Sequence, residues 1–110
     1  MAGFDDREKG FEAKYRLDEE TRFRVRARRN KLLGLWLAKA FGLTGEAADG
    51  YAKEVVAADL ERPGDDDVIE KVMADIRTRG VAIDAKAIAR ELAALEETAR
   101  HQVMVEKKQQ

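Results

Sequence analysis

Several stretches of this chain carry residue types that could do chemistry, and each needs a particular companion to do it. Gly45-Glu-Ala-Ala-Asp-Gly50 has the glycine spacing of a phosphate-cradling loop. Such a loop needs lysine and a hydroxyl residue directly after it to hold phosphate and magnesium, and here Tyr51 and Ala52 follow. Asp65-Asp66-Asp67 lacks the alternation, the glycine and the later glutamate of a calcium loop, so the three carboxylates read as the start of a helix, where unpaired N–H groups favour negative charge. His101 is the single histidine; it points away from the apolar stripe of its helix and reads as a solvated surface residue. Trp36 lies in a leucine-rich stretch and reads as a core anchor.

The basic run Arg22, Arg24, Arg26, Arg28, Arg29 and Lys31 could neutralise phosphates. Its even spacing scatters the cations around a helix, however, and Asp18, Glu19 and Glu20 stand one turn upstream, with Asp18–Arg22 and Glu20–Arg24 as supportive i, i+4 pairs. A solvated, charge-paired helix is the plain reading. A partner-docking surface on Arg22, Arg26, Arg28 and Arg29 comes next, and nucleic acid comes last.

Composition narrows the chemistry further. Cysteine is absent, and so is serine, so disulfides, thiolate nucleophiles and sulfur-ligated metals are excluded. With one exposed histidine there is no nucleophile and base to pair, and an enzyme is not expected. Neither a metal nor a cofactor is expected. A formal net charge of −1 gives no overall attraction to nucleic acid. No apolar run approaches the roughly 18 residues needed to cross a bilayer, and the first residues are charged where a signal peptide would be apolar. The expectation is a cytoplasmic protein with no direct membrane insertion, monomeric when free.

The elements that would position these residues follow from punctuation. At 110 residues, 45% hydrophobic and 39% charged, the chain can build one modest core. Apolar residues spaced three and four apart, separated by glycine, the only proline and capping residues, predict four helices and no strand. The fold class expected is all-α: a four-helix bundle spanning about residues 20–107, with helices at about 20–41, 45–61, 66–79 and 84–106, preceded by a mobile, potentially helical segment, residues 1–19. Gly42 should close the first helix and Thr44 cap the second. The second should face inward with Ala48, Tyr51, Ala52, Val55 and Val56, and Gly50 should be tolerated where a neighbouring helix packs closely. The third should bury Ile69, Val72, Met73 and Ile76 and end at Gly80. The fourth, capped by Asp84, should bury Ile88, Leu92, Leu95 and Ala99 and fray from Glu106 onward.

The first helix is unusual, because Arg22, Arg26 and Arg29 share a direction with Leu33, Trp36, Leu37 and Ala40. Only its second half, from about Leu32, should lie inside the bundle; the first half should project from the end or lie over the rim, with Phe23 and Val25 as modest anchors. Farther upstream, Phe4, Phe11 and Tyr15 fall in one narrow arc of a helical wheel amid charges. A helix that short is marginal alone. Ordering its residues costs roughly 1 kcal/mol each, while each buried aromatic side chain returns about 1.5–3 kcal/mol. The stripe reads as a segment that folds on binding a partner, with a frayed extension patching the bundle as the plainer alternative.

The stretches FDDREKGFEAKY at 4–15 and ARRNKLLGLWLA at 27–38, with YAKEVVAADLE at 51–61, resemble the zeta-subunit family of bacterial F-type ATP synthase inhibitors, known from alphaproteobacteria. The resemblance implies a four-helix bundle preceded by an inhibitory segment that inserts into the catalytic sector of the ATP synthase, at a catalytic interface near the rotor, and blocks ATP hydrolysis as a wedge against rotation. It implies a location at the periphery of the inner membrane when bound. Carried onto this chain, Phe4, Phe11 and Tyr15 would supply the buried face and Asp5, Asp6, Arg7, Glu8, Glu12 and Lys14 the polar rim. Gly10 stands where the family's pattern often has alanine, and Leu17 where a more polar residue is expected. The alternative to an inhibitor is a non-enzymatic helical adaptor that binds another protein or RNA through the basic first helix.

Overall fold

The computed structural model describes residues 19–61 and 65–108. They form four helices, α1 (Glu19–Ala40), α2 (Gly45–Glu61), α3 (Asp65–Arg79) and α4 (Ala85–Lys108), and no strand is present among the described residues. The chain is thus all-α, as the periodicity predicted. The expected inhibitory segment, with Phe4, Asp5, Asp6, Arg7, Glu8, Phe11, Glu12, Lys14 and Tyr15, lies outside the described residues.

Local chemistry explains where the helices stop. At the end of α1, Gly42 takes φ +77°, its N–H donates to the Lys39 carbonyl and the Leu43 N–H reaches back to Ala38 at 2.8 Å. The same pair of bonds ends α3, with Gly80 at φ +69° donating to Arg77 and Val81 donating to Ile76. Both are left-handed glycine caps that satisfy the last carbonyls of a helix. Asp84 caps α4 by accepting the Ala87 N–H at 2.8 Å through Oδ1. At the start of α2 it is the Thr44 carbonyl that accepts, from Ala47 and Ala48.

The helices run up and down, so that α1 lies antiparallel to both α2 and α4, as the cross-helix bonds from Arg26 to Asp59 and from Arg28 to Gln102 require. The core is Leu33 and Leu37 from α1, Tyr51 and Val55 from α2, Val68, Val72 and Ile76 from α3, and Ile88 and Leu92 from α4. Tyr51 is its polar corner. Its hydroxyl donates to Asp75 at 2.8 Å, and its ring meets Phe41 edge-on at 5.3 Å between centroids.

Several expectations are corrected by the packing. Trp36, Ile69, Met73 and Leu95 border the core half-buried, while Val68 and Val103, which the expected stripes left out, are buried. Ala40, expected on the apolar side of the first helix, is exposed, and Phe23, expected as an anchor, is 53% exposed. Gly50 is not the close-packed glycine: a Cβ there would meet nothing within 4 Å, whereas one on Gly34 would stand 2.5 Å from Ala52 Cα. Gly34 is where the backbones of α1 and α2 approach. Finally, α4 does not fray at Glu106 but continues to Lys108, because its last turns are tied to the first turns of α1.

Candidate functional site

The first half of α1 is held by charge, and the holding residues lie on neighbouring helices. The α2 stripe Tyr51, Ala52, Val55 continues by one helical step to Asp59, a carboxylate only 5% exposed. Arg26 grips it from two directions, Nε to one oxygen and Nη2 to the other at 2.9 Å. Its Nη2 also reaches Asp65, the first residue of α3, at 3.2 Å. The hydrogen bond to Asp59 raises the Arg26 pKa above its ordinary value against the opposing effect of burial.

Arg29 goes deeper. Its side chain is 3% exposed and faces Asp65 at 3.0 Å and Glu96 of α4 at 4.0 Å. Its Nε and Nη2 donate to Asn30 Oδ1 at 3.1 and 3.0 Å. Asn30 is itself fully buried, and its Nδ2 has no acceptor. A buried charge is tolerable only when paired and hydrogen-bonded, and Asp65 with Asn30 meets that requirement. Asp65 therefore does more than begin a helix.

On the α4 side, Arg28 donates to Gln102 at 2.9 Å and to Glu106 at 2.8 Å, with Nη1 at 2.7 Å from the second Glu106 oxygen. This two-pronged grip holds the Glu106 carboxyl below its ordinary range and the Arg28 guanidinium above its own. Arg24 adds a contact to Glu106 at 3.5 Å, and Lys107 donates to the hydroxyl of buried Thr21 at 2.8 Å. The basic half of α1 thus lies over the rim of the bundle, clamped by α2, α3 and α4 through Arg26, Arg28 and Arg29. It does not project from the end of the bundle.

Of the four arginines expected as a docking surface, Arg26 and Arg28 are engaged in pairs across the bundle, Arg29 is buried and Arg22 is exposed. Among the ion pairs of the described residues, the Glu20–Arg24 pair within α1 is replaced by Arg24–Glu106. The partners missed from sequence, Asp59, Gln102 and Glu106, were marked by position: each continues an inward three-and-four spacing of its own helix. His101 is exposed, as expected. Among the described residues no group of three or more His, Cys, Asp or Glu could hold a metal ion, and no described helix is long and apolar enough to cross a membrane.

This half also carries an open groove of about 350 Å³, lined by Phe23, Arg24, Ala27, Arg28 and Lys31 of α1 with Val56 of α2 and Val103 of α4. It is apolar along its floor and cationic along its rim.

Comparison with known proteins adds to this geometry. A family model described as ATPase inhibitor subunit zeta matches residues 1–102. A protein whose solution NMR structure has been solved is 39% identical, with a TM-score of 0.67, over 76% of this chain and 95% of that one. No curated protein matches the chain.

Proposed function

The chain belongs to the ATPase inhibitor subunit zeta family, and from that premise we propose that it inhibits ATP hydrolysis by the F-type ATP synthase, with residues 1–19 as effector and the bundle as scaffold. The observation that carries this reading is the reach of the family match, which begins at residue 1 and takes in the aromatic stripe along with the bundle. Phe4, Phe11 and Tyr15 would form the buried face of a helix inserted at a catalytic interface near the rotor, with Asp5, Asp6, Arg7, Glu8, Glu12 and Lys14 at its rim. A helix jammed there opposes rotation sterically and needs no chemistry of its own. The three aromatics return too little free energy to order the segment unaided, so the bundle's role is to dock nearby and raise the segment's effective concentration. The partner is the catalytic sector, and the protein acts on the cytoplasmic side, peripheral to the membrane.

The rival reading, an adaptor that binds protein or RNA through basic α1, has less to work with. Arg26, Arg28 and Arg29 already satisfy carboxylates within the bundle, and each would have to be detached before it met a phosphate.

The test is ATP hydrolysis by the isolated catalytic sector, titrated with the full chain and with a version lacking residues 1–18. Inhibition by the full chain alone is expected. Equal inhibition by both would move the activity to the bundle, and inhibition by neither would refute the reading.

A further inference from the structure

The buried polar and charged side chains among the described residues are Thr21, Arg29, Asn30 and Asp59. Three of them lie in α1 ahead of Leu33, and the fourth is the carboxylate that Arg26 grips. The apolar core, by contrast, takes nothing from α1 ahead of Leu33. One helix is thus held in two ways. From Leu33 onward the hold is apolar burial, with the backbone of Gly34 against Ala52. From Glu19 to Lys31 it is ionic: Arg26 on Asp59, Arg28 on Glu106 and Arg29 on Asp65.

The two holds differ in what release costs. Lifting an apolar stripe off its core exposes that stripe to water. Lifting a polar stretch returns its charges to water, and their rehydration offsets much of the pairing lost. Asn30 Nδ2, without an acceptor among the described residues, gains one on release. The apolar surface at this level lies around an open groove, lined by Ala27, Val56 and Val103, and Phe23 is already more than half exposed.

We propose that Glu19–Lys31 is a detachable arm, which leaves the bundle as one unit while the rest of the bundle stays folded. The break falls at Leu32, just ahead of the packed Gly34. Freed of its carboxylates, the arm sets Arg22 against Arg26 and Arg24 against Arg28 at i, i+4, like charges that oppose a helix, so detachment also unravels it. Resting on the inhibitor reading, the arm has a use, because it is the root of the effector. Passing from helix to extended chain, Glu19–Lys31 lengthens from about 20 Å to about 45 Å. A tether too short to span two sites gives the second no effective concentration, and a tether that lengthens lets a docked bundle serve a site set deep in its partner.

Hydrogen exchange of backbone amides in the full chain, followed by NMR at increasing urea below the unfolding transition, tests the arm. Amides Phe23–Lys31 are compared with Leu37–Ala40, since the first four N–H groups of α1 have no helical acceptor. The expected result is one common protection across Phe23–Lys31, about tenfold or more below that of Leu37–Ala40, with a weak dependence on urea because little surface is exposed. Raising sodium chloride from about 0.01 M to about 1 M, over which the Debye length falls from about 30 Å to about 3 Å, should lower it further. Equal protection along α1 would overturn the proposal by showing a single cooperative helix. A gradient falling steadily toward Glu19 would overturn it as ordinary fraying, and indifference to salt would remove the ionic hold.

Arg29→Met combined with Asn30→Leu replaces the buried polar groups by apolar ones and should raise the arm's protection about tenfold. In the ATP hydrolysis assay the concentration of that variant needed for half-inhibition should rise by the same factor; an unchanged value beside raised protection would overturn the tether. If this variant does not fold, Glu106→Gln makes the test in the opposite direction, lowering both quantities about twofold to fivefold, and unchanged protection there would overturn the arm. The exchange measurements contain no ATPase, so their failure leaves the inhibitor reading intact, and a chain that fails to inhibit leaves the arm to be judged by exchange alone.

Discussion

Asp59 and Glu106 hold the two sides of α1, and each supports a prediction of its own. Asp59 is buried and accepts two hydrogen bonds from Arg26. Asp59→Ala should lower stability by about 1–3 kcal/mol in urea denaturation, and a double-mutant cycle with Arg26→Ala should show coupling of about 0.5–3 kcal/mol; additive effects would mean the pair is not a clamp. Glu106 is pH-sensitive. Its hydrogen bond from Arg28 lowers its pKa below the ordinary 4.5, so its contribution is fully present above the unfolded value and is lost as pH falls through the lower folded one. The stability difference between the native chain and Glu106→Gln should therefore shrink between about pH 6 and about pH 3. A titration of the Glu106 carboxyl by NMR should show its pKa rising toward 4.5 in Arg28→Ala. Within the opening stretch, Gly10→Ala should strengthen inhibition of the catalytic sector about fivefold, because glycine costs about 1 kcal/mol in a helix interior. No change in half-inhibition would mean that residue 10 is not helical in the bound state.

Between helices, two glycines that look alike in sequence should respond in opposite directions to alanine. Gly34 faces Ala52 across the α1–α2 contact with no room for a methyl group, so Gly34→Ala should destabilise by about 1–3 kcal/mol. Gly50 is exposed in the middle of α2 with nothing near it, and Gly50→Ala should stabilise by about 0.5–1 kcal/mol. Thermal denaturation of both variants decides the point. The ends of the elements were legible because glycine, aspartate and proline act locally: Gly42, Gly80 and Asp84 cap where their types require. The close approach at Gly34 was not legible, since it depends on which residue of α2 arrives opposite, and that is fixed by helix register.

For the molecule as a whole, a version lacking residues 1–18 should keep its helical circular dichroism and unfold cooperatively, because the core and the arginine clamps are built from residues of α1 to α4; a loss of cooperative unfolding would show that the opening residues are part of the fold. What the sequence by itself determined is the class of architecture, the helix ends, most of the apolar core and the resemblance to a family of inhibitors, since period, caps and motif are written in neighbouring residues. It also excluded thiol and serine chemistry through absent residue types. Only the tertiary structure decided the fate of the basic run. Read locally, Arg24, Arg26, Arg28 and Arg29 looked like a solvated face; in the bundle they meet Glu106, Asp59 and Asp65, from 33 to 82 positions away in the chain. Antiparallel register brings the last turns of α4 and α2 beside the first turns of α1, and no local pattern states which carboxylate will stand opposite which arginine.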